Sequence, residues 1–253
     1  MRTVIFGKGK VGIATDLTLK TKATFHDPSK GHVVSDFNQF DQAIICVSSL
    51  VKGPQDHDDI KSCLALLDDA KFEGTIAVRC TVSPIFLRVA EIQFPYLNII
   101  HFPEFMKQRD DVYLDTPWAV VVGGDETLTR PFADWLLSCG YGTPEQVHLC
   151  TLDESALIKL HQNAGLALKV TFANIMYETC LYYGADYEKV RLGVGADVRV
   201  GPGHLQVPGE DGFGFGGHCL PKDLACLNTV ARSHGFWDNI IEVNETMRAK
   251  NRE

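Results

Sequence analysis

Cys219 lies in the segment Gly212-Phe213-Gly214-Phe215-Gly216-Gly217-His218-Cys219-Leu220-Pro221-Lys222-Asp223, which holds the chain's most reactive combination of residue types. Four glycines within six residues permit backbone conformations closed to other residues, so a ligand can approach the main chain. Pro221 suits the first turn of a helix and so puts Cys219 just before a helix N-terminus. The positive end of that helix favours the thiolate, the nucleophilic form of cysteine. Lys222 adds a cation, and Asp223, four residues beyond the sulfur, can act on the same substrate. The plainer alternative is a buried cysteine beside a glycine-rich turn. The remaining cysteines stand mostly in apolar runs such as Ile44-Ile45-Cys46-Val47, where a thiol behaves as a small hydrophobe. None forms a CxxC pair, so neither a zinc site nor a thioredoxin motif is expected.

A second motif, Gly7-Lys8-Gly9-Lys10-Val11-Gly12, follows the strand pattern Thr3–Phe6 and opens a helical stretch. In a βαβ unit the first glycine makes the tight turn and the second lets the backbone approach a pyrophosphate. The third lets helix and strand pack closely, and the helix N-terminus faces the phosphates. Asp27 ends the next strand, where a carboxylate binds the ribose hydroxyls of NAD and repels the 2′-phosphate of NADP. NAD is therefore the expected cofactor.

These residues need a scaffold. Short β-like runs alternate with helical ones: Thr3–Phe6, Ala23–His26, Gln42–Val47, Thr75–Arg79, Asn98–His101, Ala119–Val122 and Gln146–Leu149 read as strands. Asp58–Ala70, Leu87–Gln93 and Thr127–Ser138 read as helices between them. The pattern predicts a doubly wound, Rossmann-like, mostly parallel sheet over residues 1–152. Residues 153–253 are predicted to form an all-helical domain carrying the cysteine loop. Its core is one long helix, Asp153–Tyr183, begun by a capping box at Thr151-Leu152-Asp153-Glu154 and stopped by Gly184. This helix is apolar on nearly every side, so a homodimer interface is expected along residues 153–183. Helices at Tyr187–Leu192, Pro221–Ser233 and Trp237–Asn251 follow.

The formal net charge of -8 argues against nucleic acid, which needs a basic face. No apolar run approaches the ~20 residues that cross a bilayer, and no signal segment precedes the first strand. The expectation is a cytoplasmic protein in a reducing compartment, with no metal and no membrane partner.

The segment Gly214–Asp223 resembles the active-site motif of the UDP-glucose/GDP-mannose dehydrogenase family. Other segments are similar in the same order: Val47-Ser48-Ser49, Cys80-Thr81-Val82-Ser83-Pro84, Phe102-Pro103-Glu104-Phe105-Met106 and Lys159-Leu160-His161-Gln162-Asn163. The resemblance covers essentially the whole chain. It implies oxidation of the C6 hydroxymethyl of a nucleotide sugar to a carboxylate, of the UDP-glucose to UDP-glucuronate type, consuming two NAD. Cys219 would form a thiohemiacetal and then a thioester. Lys159 and Asn163, four apart on one helical face, would donate to the oxyanion. Asp223 and Thr81 would hold a water or take the alcohol proton, and Glu104 would activate water against the thioester. The cofactor would touch Gly7, Gly9, Lys10, Val11, Gly12, Asp27, Val47, Ser48, Thr81 and Lys222. The substrate would touch Glu104, Phe105, Met106, Lys159, Asn163, Phe213, Gly214, Gly216 and Gly217. Arg199 resembles an arginine that reaches the neighbouring subunit's substrate.

Lys10 replaces the family's usual aromatic residue, and Gln108 stands where a second glutamate usually follows Pro-Glu-Phe. The chain stops at Glu253, so a short form without the family's C-terminal nucleotide-binding domain is expected. Two other readings are a two-electron hydroxyacid-type dehydrogenase, which would not need Cys219, and a non-catalytic NAD-binding dimeric module.

Overall fold

The computed structural model describes residues 1–109, 112–114 and 118–252. Two compact units result, Met1–Lys159 and Leu160–Glu253.

In the first unit, β1 (Thr3–Phe6), β2 (Thr24–His26), β3 (Gln42–Ile45), β4 (Thr75–Val78) and β5 (Asn98–His101) pair in parallel in the order β2-β1-β3-β4-β5. A short ribbon, β6 (Lys107–Arg109) and β7 (Val112–Leu114), stands outside this sheet and was not expected. Its strands are too short to show a period. The sheet ends with β8 (Val120–Gly123), antiparallel to β5, and β9 (Val147–Cys150), parallel to β8.

Alternation along each strand builds two cores. Val4, Phe6, Ala43, Ile45, Ile76 and Val78 face one side, against Ile60, Leu64 and Leu67 of α2 (Asp58–Asp69) and Leu87 and Ala90 of α3 (Pro84–Gln93). Ile5, Ile44, Ala77, Ile100, Val120 and Val122 face the other. They meet Leu19 of α1 (Lys10–Leu19) and Phe132, Ala133 and Leu136 of α4 (Glu126–Ser138). Each large buried side chain contributes about 1.5–3 kcal/mol over its exposed state. Both faces are covered, which makes this the doubly wound sheet that the succession of apolar β-like and helical runs predicts. The chain reverses direction across the sheet between β1 and β3, so their C-terminal ends border the crevice where such sheets bind ligands.

The helix starts follow local chemistry. Ser83 Oγ accepts the Phe86 amide and Asp125 accepts the Thr127 amide, with Pro84 as the first residue of α3. The expected capping box starts α5 (Leu152–Tyr183): Glu154 accepts the Thr151 amide at 2.7 Å, and Thr151 Oγ1 accepts the Glu154 amide at 3.2 Å. Gly184, at φ +63°, ends it. The first two turns of α5 pack in the first unit, where Leu152 and Ala156 are buried.

The second unit holds the rest of α5, then α6 (Tyr187–Gly195), α7 (Cys219–Val230) and α8 (Phe236–Ala249). Ala173, Leu205 and Val207 form a small core with Tyr177, Tyr187 and Phe213 around it. None of the eight cysteines is in a disulfide. Among the described residues no helix is long and apolar enough to cross a membrane.

Candidate active site

The glycine loop after β1 behaves position by position as its spacing requires. Gly7 has φ +90°, and a Cβ there would lie 2.8 Å from the Cys46 carbonyl oxygen. Gly9 precedes α1 with no side-chain cap, and nothing lies within 4 Å of where its Cβ would be. A Cβ on Gly12 would sit 2.1 Å from the Gly7 carbonyl, so only glycine lets helix and strand approach this closely. The first amides of α1 therefore face space open to an anion.

Asp27 follows β2, accepting the Lys8 amide at 2.8 Å and the Ser29 hydroxyl at 2.6 Å. The Ser29 hydroxyl and the Lys8 amide hold its carboxyl below the usual range, so it is anionic at neutral pH. A cleft of about 440 Å³ is lined by Gly7, Gly9, Asp27, Val47 and Ser48, among others. Lys10 and Val11 are the first residues of α1 and stand outside that lining. The uncapped helix start, the open Gly9 and the anionic Asp27 fit a dinucleotide with a free ribose diol.

A second cluster lies at the C-terminal ends of β4 and β5. Lys159, on α5, is nearly fully buried and lies 3.3 Å from Glu104 Oε1, with its ammonium 5.2 Å from the Phe105 ring centre. Glu104 Oε2 accepts the Met106 amide at 2.8 Å. Burial works to raise the Glu104 carboxyl, but Lys159, the Met106 amide and Arg79 together hold it below the ordinary glutamate range. An anionic carboxylate beside a buried ammonium can serve as a base toward water. Thr81 is buried just before α3, on the segment that follows β4. Gln108 lies in the ribbon strand β6.

Two members of this cluster were not anticipated. Arg79 is wholly buried, its guanidinium 4.1 Å from the Phe102 ring centre and bonded to the Tyr141 hydroxyl at 3.4 Å. A cation ending the apolar strand pattern Thr75–Arg79 was the available signal. His101 is also wholly buried: Nδ1 lies 2.8 Å from Ser155 Oγ and Nε2 3.2 Å from the Cys80 carbonyl. A carbonyl only accepts, so Nε2 carries the proton in the neutral ring, while the one hydroxyl hydrogen of Ser155 is shared between Nδ1 and the Leu152 carbonyl, each 2.8 Å from Oγ. No sequence signal separates this histidine from an ordinary strand residue.

Burial pushes the His101 imidazole down to about 4, with the Cys80 carbonyl opposing and the Lys159 charge assisting. Between pH 6.5, the unfolded value, and about 4, the unfolded chain binds the extra proton, so stability falls as pH falls. The loss should approach the order of 3 kcal/mol at the low end. Urea unfolding at pH 7 and pH 5 measures it, and His101→Gln is expected to flatten the slope over that window. Glu104 acts below it, its contribution being lost as pH falls through its depressed value.

The second unit carries the cysteine loop. Cys219 is exposed and is itself the first residue of α7, two residues earlier than Pro221 suggests, with His218 as the cap position. Its amide still belongs to the open first turn. One turn on, Asp223 is wholly buried, accepting the Asn163 carboxamide on Oδ2 and the Lys222 ammonium on Oδ1. Asn163 and Asp223, given separate roles from the sequence, are thus in direct contact. Arg199 is different: it is highly exposed and paired with Asp197 in the loop after α6.

The glycines of the loop face unequal surroundings. A Cβ on Gly214 would lie 2.6 Å from Asn244 Oδ1, and one on Gly216 2.3 Å from Arg248 Nη1. A Cβ on Gly217 meets nothing nearer than Asp211 Oδ2 at 3.6 Å. Gly214 and Gly216 therefore make room for the protein's own side chains. That differs from the expected ligand approach along the whole run. Phe213 packs in the small core with Tyr177 and Tyr187. No cluster of three or more His, Cys, Asp or Glu arranged for a metal occurs among the described residues.

Residues 153–251 match the central domain of the UDP-glucose/GDP-mannose dehydrogenase family. The chain is 33% identical over 152 residues to UDP-glucose 6-dehydrogenase of Pseudomonas aeruginosa, covering 60% of this chain and 33% of that protein. It is 31% identical over 193 residues to the enzyme of the same name from Haloferax volcanii, covering 71% and 43%. The chain thus spans less than half the length of these curated relatives. The fold is similar to a solved UDP-glucose dehydrogenase from Pyrobaculum islandicum, with a TM-score of 0.75 at 20% identity, covering 97% of this chain and 68% of that one.

Proposed function

Because residues 153–251 match the central domain of the UDP-glucose/GDP-mannose dehydrogenase family, we propose that the chain is a member of that family and oxidises the C6 hydroxymethyl of a nucleotide sugar to a carboxylate. The observation that carries this reading is Cys219: an exposed thiol on the first turn of α7, one helical turn from a buried Asp223 that is bonded to Asn163.

NAD, when bound at the α1 start and Asp27, supplies the hydride acceptor for both oxidations. The chain's own residues do the rest. Asp223 takes the hydroxyl proton as the alcohol becomes an aldehyde, the role that the family resemblance implies for it and for Thr81. The Cys219 thiolate adds to C6, forming a C–S bond, while Lys159 and Asn163 donate to the developing oxyanion. Loss of a second hydride from C6 leaves a thioester on Cys219. Glu104 accepts a proton from water as that water attacks, the C–S bond breaks, and the thiolate is restored. Four electrons leave the sugar. Lys222 assists on the cofactor side, and Phe105, Met106, Phe213 and the loop glycines bound the sugar.

We assign residues 1–152 to the cofactor domain and 153–253 to the helical domain that carries the thiol. Exposed Phe172, Ile175, Tyr182 and Tyr183 on α5 support a homodimer along that helix. The exposed Arg199 would then reach the partner's substrate.

The test is NADH release from a panel of UDP-, GDP- and free sugars, counting NADH per acid formed. Two NADH per acid is the expected result. One NADH would point to a two-electron dehydrogenase. Tight NAD binding with no turnover on any sugar would leave only the binding module.

A further inference from the structure

The stretch Phe213–Phe215 lies outside every helix and strand, yet its three successive amides are all satisfied by carboxamides. Asn251 accepts the Phe213 amide at 2.8 Å and donates back to the Phe213 carbonyl at 3.0 Å. Asn174, on α5, accepts the Gly214 amide at 3.0 Å while its own amide is tied to the Val170 carbonyl at 2.8 Å. Asn244, on α8, accepts the Phe215 amide at 2.7 Å and donates to the Phe215 carbonyl at 3.1 Å. Asn244 and Asn251 each pair with a peptide through both its groups, as a neighbouring strand would.

The glycines are shaped to this arrangement. Gly212 and Gly214 have φ +85° and +73°, and their Cβ positions would fall 2.4 Å from Asn251 Oδ1 and 2.6 Å from Asn244 Oδ1. Any side chain there would expel the carboxamide. The pairing sets the course of the backbone as it runs into Gly216, Gly217 and Cys219.

We infer that Asn174, Asn244 and Asn251 are positioning residues that clamp the glycine loop ahead of Cys219 and thereby set both the thiol's reactivity and sugar-nucleotide binding. The second effect rests on the function proposed above. The first does not.

The test uses the full chain and Asn251→Ala, whose exposed side chain lies past the end of α8, together with Asn244→Ala. Three readouts apply: amide hydrogen exchange, alkylation of Cys219 by iodoacetamide at pH 7, and the KM values for UDP-glucose and NAD. In Asn251→Ala the Phe213 amide is expected to exchange about tenfold faster, with the α7 amides unchanged. Alkylation of Cys219 is expected to slow by about threefold as the first turn of α7 loses its fixed approach. The KM for UDP-glucose should rise about fivefold and the KM for NAD stay constant, whereas a loss of folded protein alone would lower only the apparent kcat. Asn244→Ala should shift the Phe215 amide in the same way. Unchanged exchange, or faster exchange with both alkylation and the UDP-glucose KM unaltered, overturns the proposal. If the unaltered chain has no turnover, the dehydrogenase reading fails, and exchange and alkylation decide the clamp without it.

Discussion

Cys219→Ala is expected to abolish carboxylate formation, lowering turnover by roughly 10⁴-fold or more, as removal of a covalent nucleophile does. The cause is chemical. An aldehyde has no electron pair to expel a second hydride until a nucleophile has added to C6, and in the proposed route that nucleophile is the exposed sulfur at the start of α7. Cofactor binding should be untouched, because Cys219 is not among the residues that line the cleft of Gly7, Gly9 and Asp27. Paired measurements of acid formation and NAD affinity separate the two effects. Acid formation by the alanine variant at more than about a tenth of the original rate would remove the thioester route.

Lys159→Met is expected to lose both stability and turnover. The Lys159 side chain is 4% exposed and that of Glu104 13%, so deleting the ammonium leaves a carboxylate in a dry site. Breaking a buried pair in this way costs about 3–5 kcal/mol. Glu104 should then titrate higher, since burial is the largest influence on it and Lys159 the strongest opposing one. Adding Glu104→Gln should recover most of the lost stability, because two neutral groups need no compensation, but no turnover. Urea unfolding of the single and double variants gives the coupling. A double variant as unstable as Lys159→Met would show that the pair is not what holds this cluster together.

Much of the site was legible because its chemistry is local. The spacing of Gly7, Gly9 and Gly12 encodes a turn, an opening and a close packing contact, and each glycine meets its own constraint in the fold. The capping box at Thr151 and Glu154 joins residues three apart, and the strands reveal themselves as short apolar runs between helical ones. Cys219 and Asp223 are one helical turn apart wherever a helix forms. Signals that weaken with length were missed: the three-residue ribbon strands left no period, and Pro221 marked the start of α7 two residues late.

From the sequence alone came the order of elements, the glycine cradle with its acidic partner, and the place of Cys219 at a helix start, because each depends on residues within one βαβ unit or one helical turn. Tertiary structure alone decided which groups share a dry environment: His101 against Ser155, Lys159 against Glu104, and Asn174, Asn244 and Asn251 along the loop. Those partners are separated by 29 to 55 residues. No backbone preference couples such distant positions; only the packing of the folded core brings them into hydrogen-bonding range and removes the water that would otherwise satisfy them.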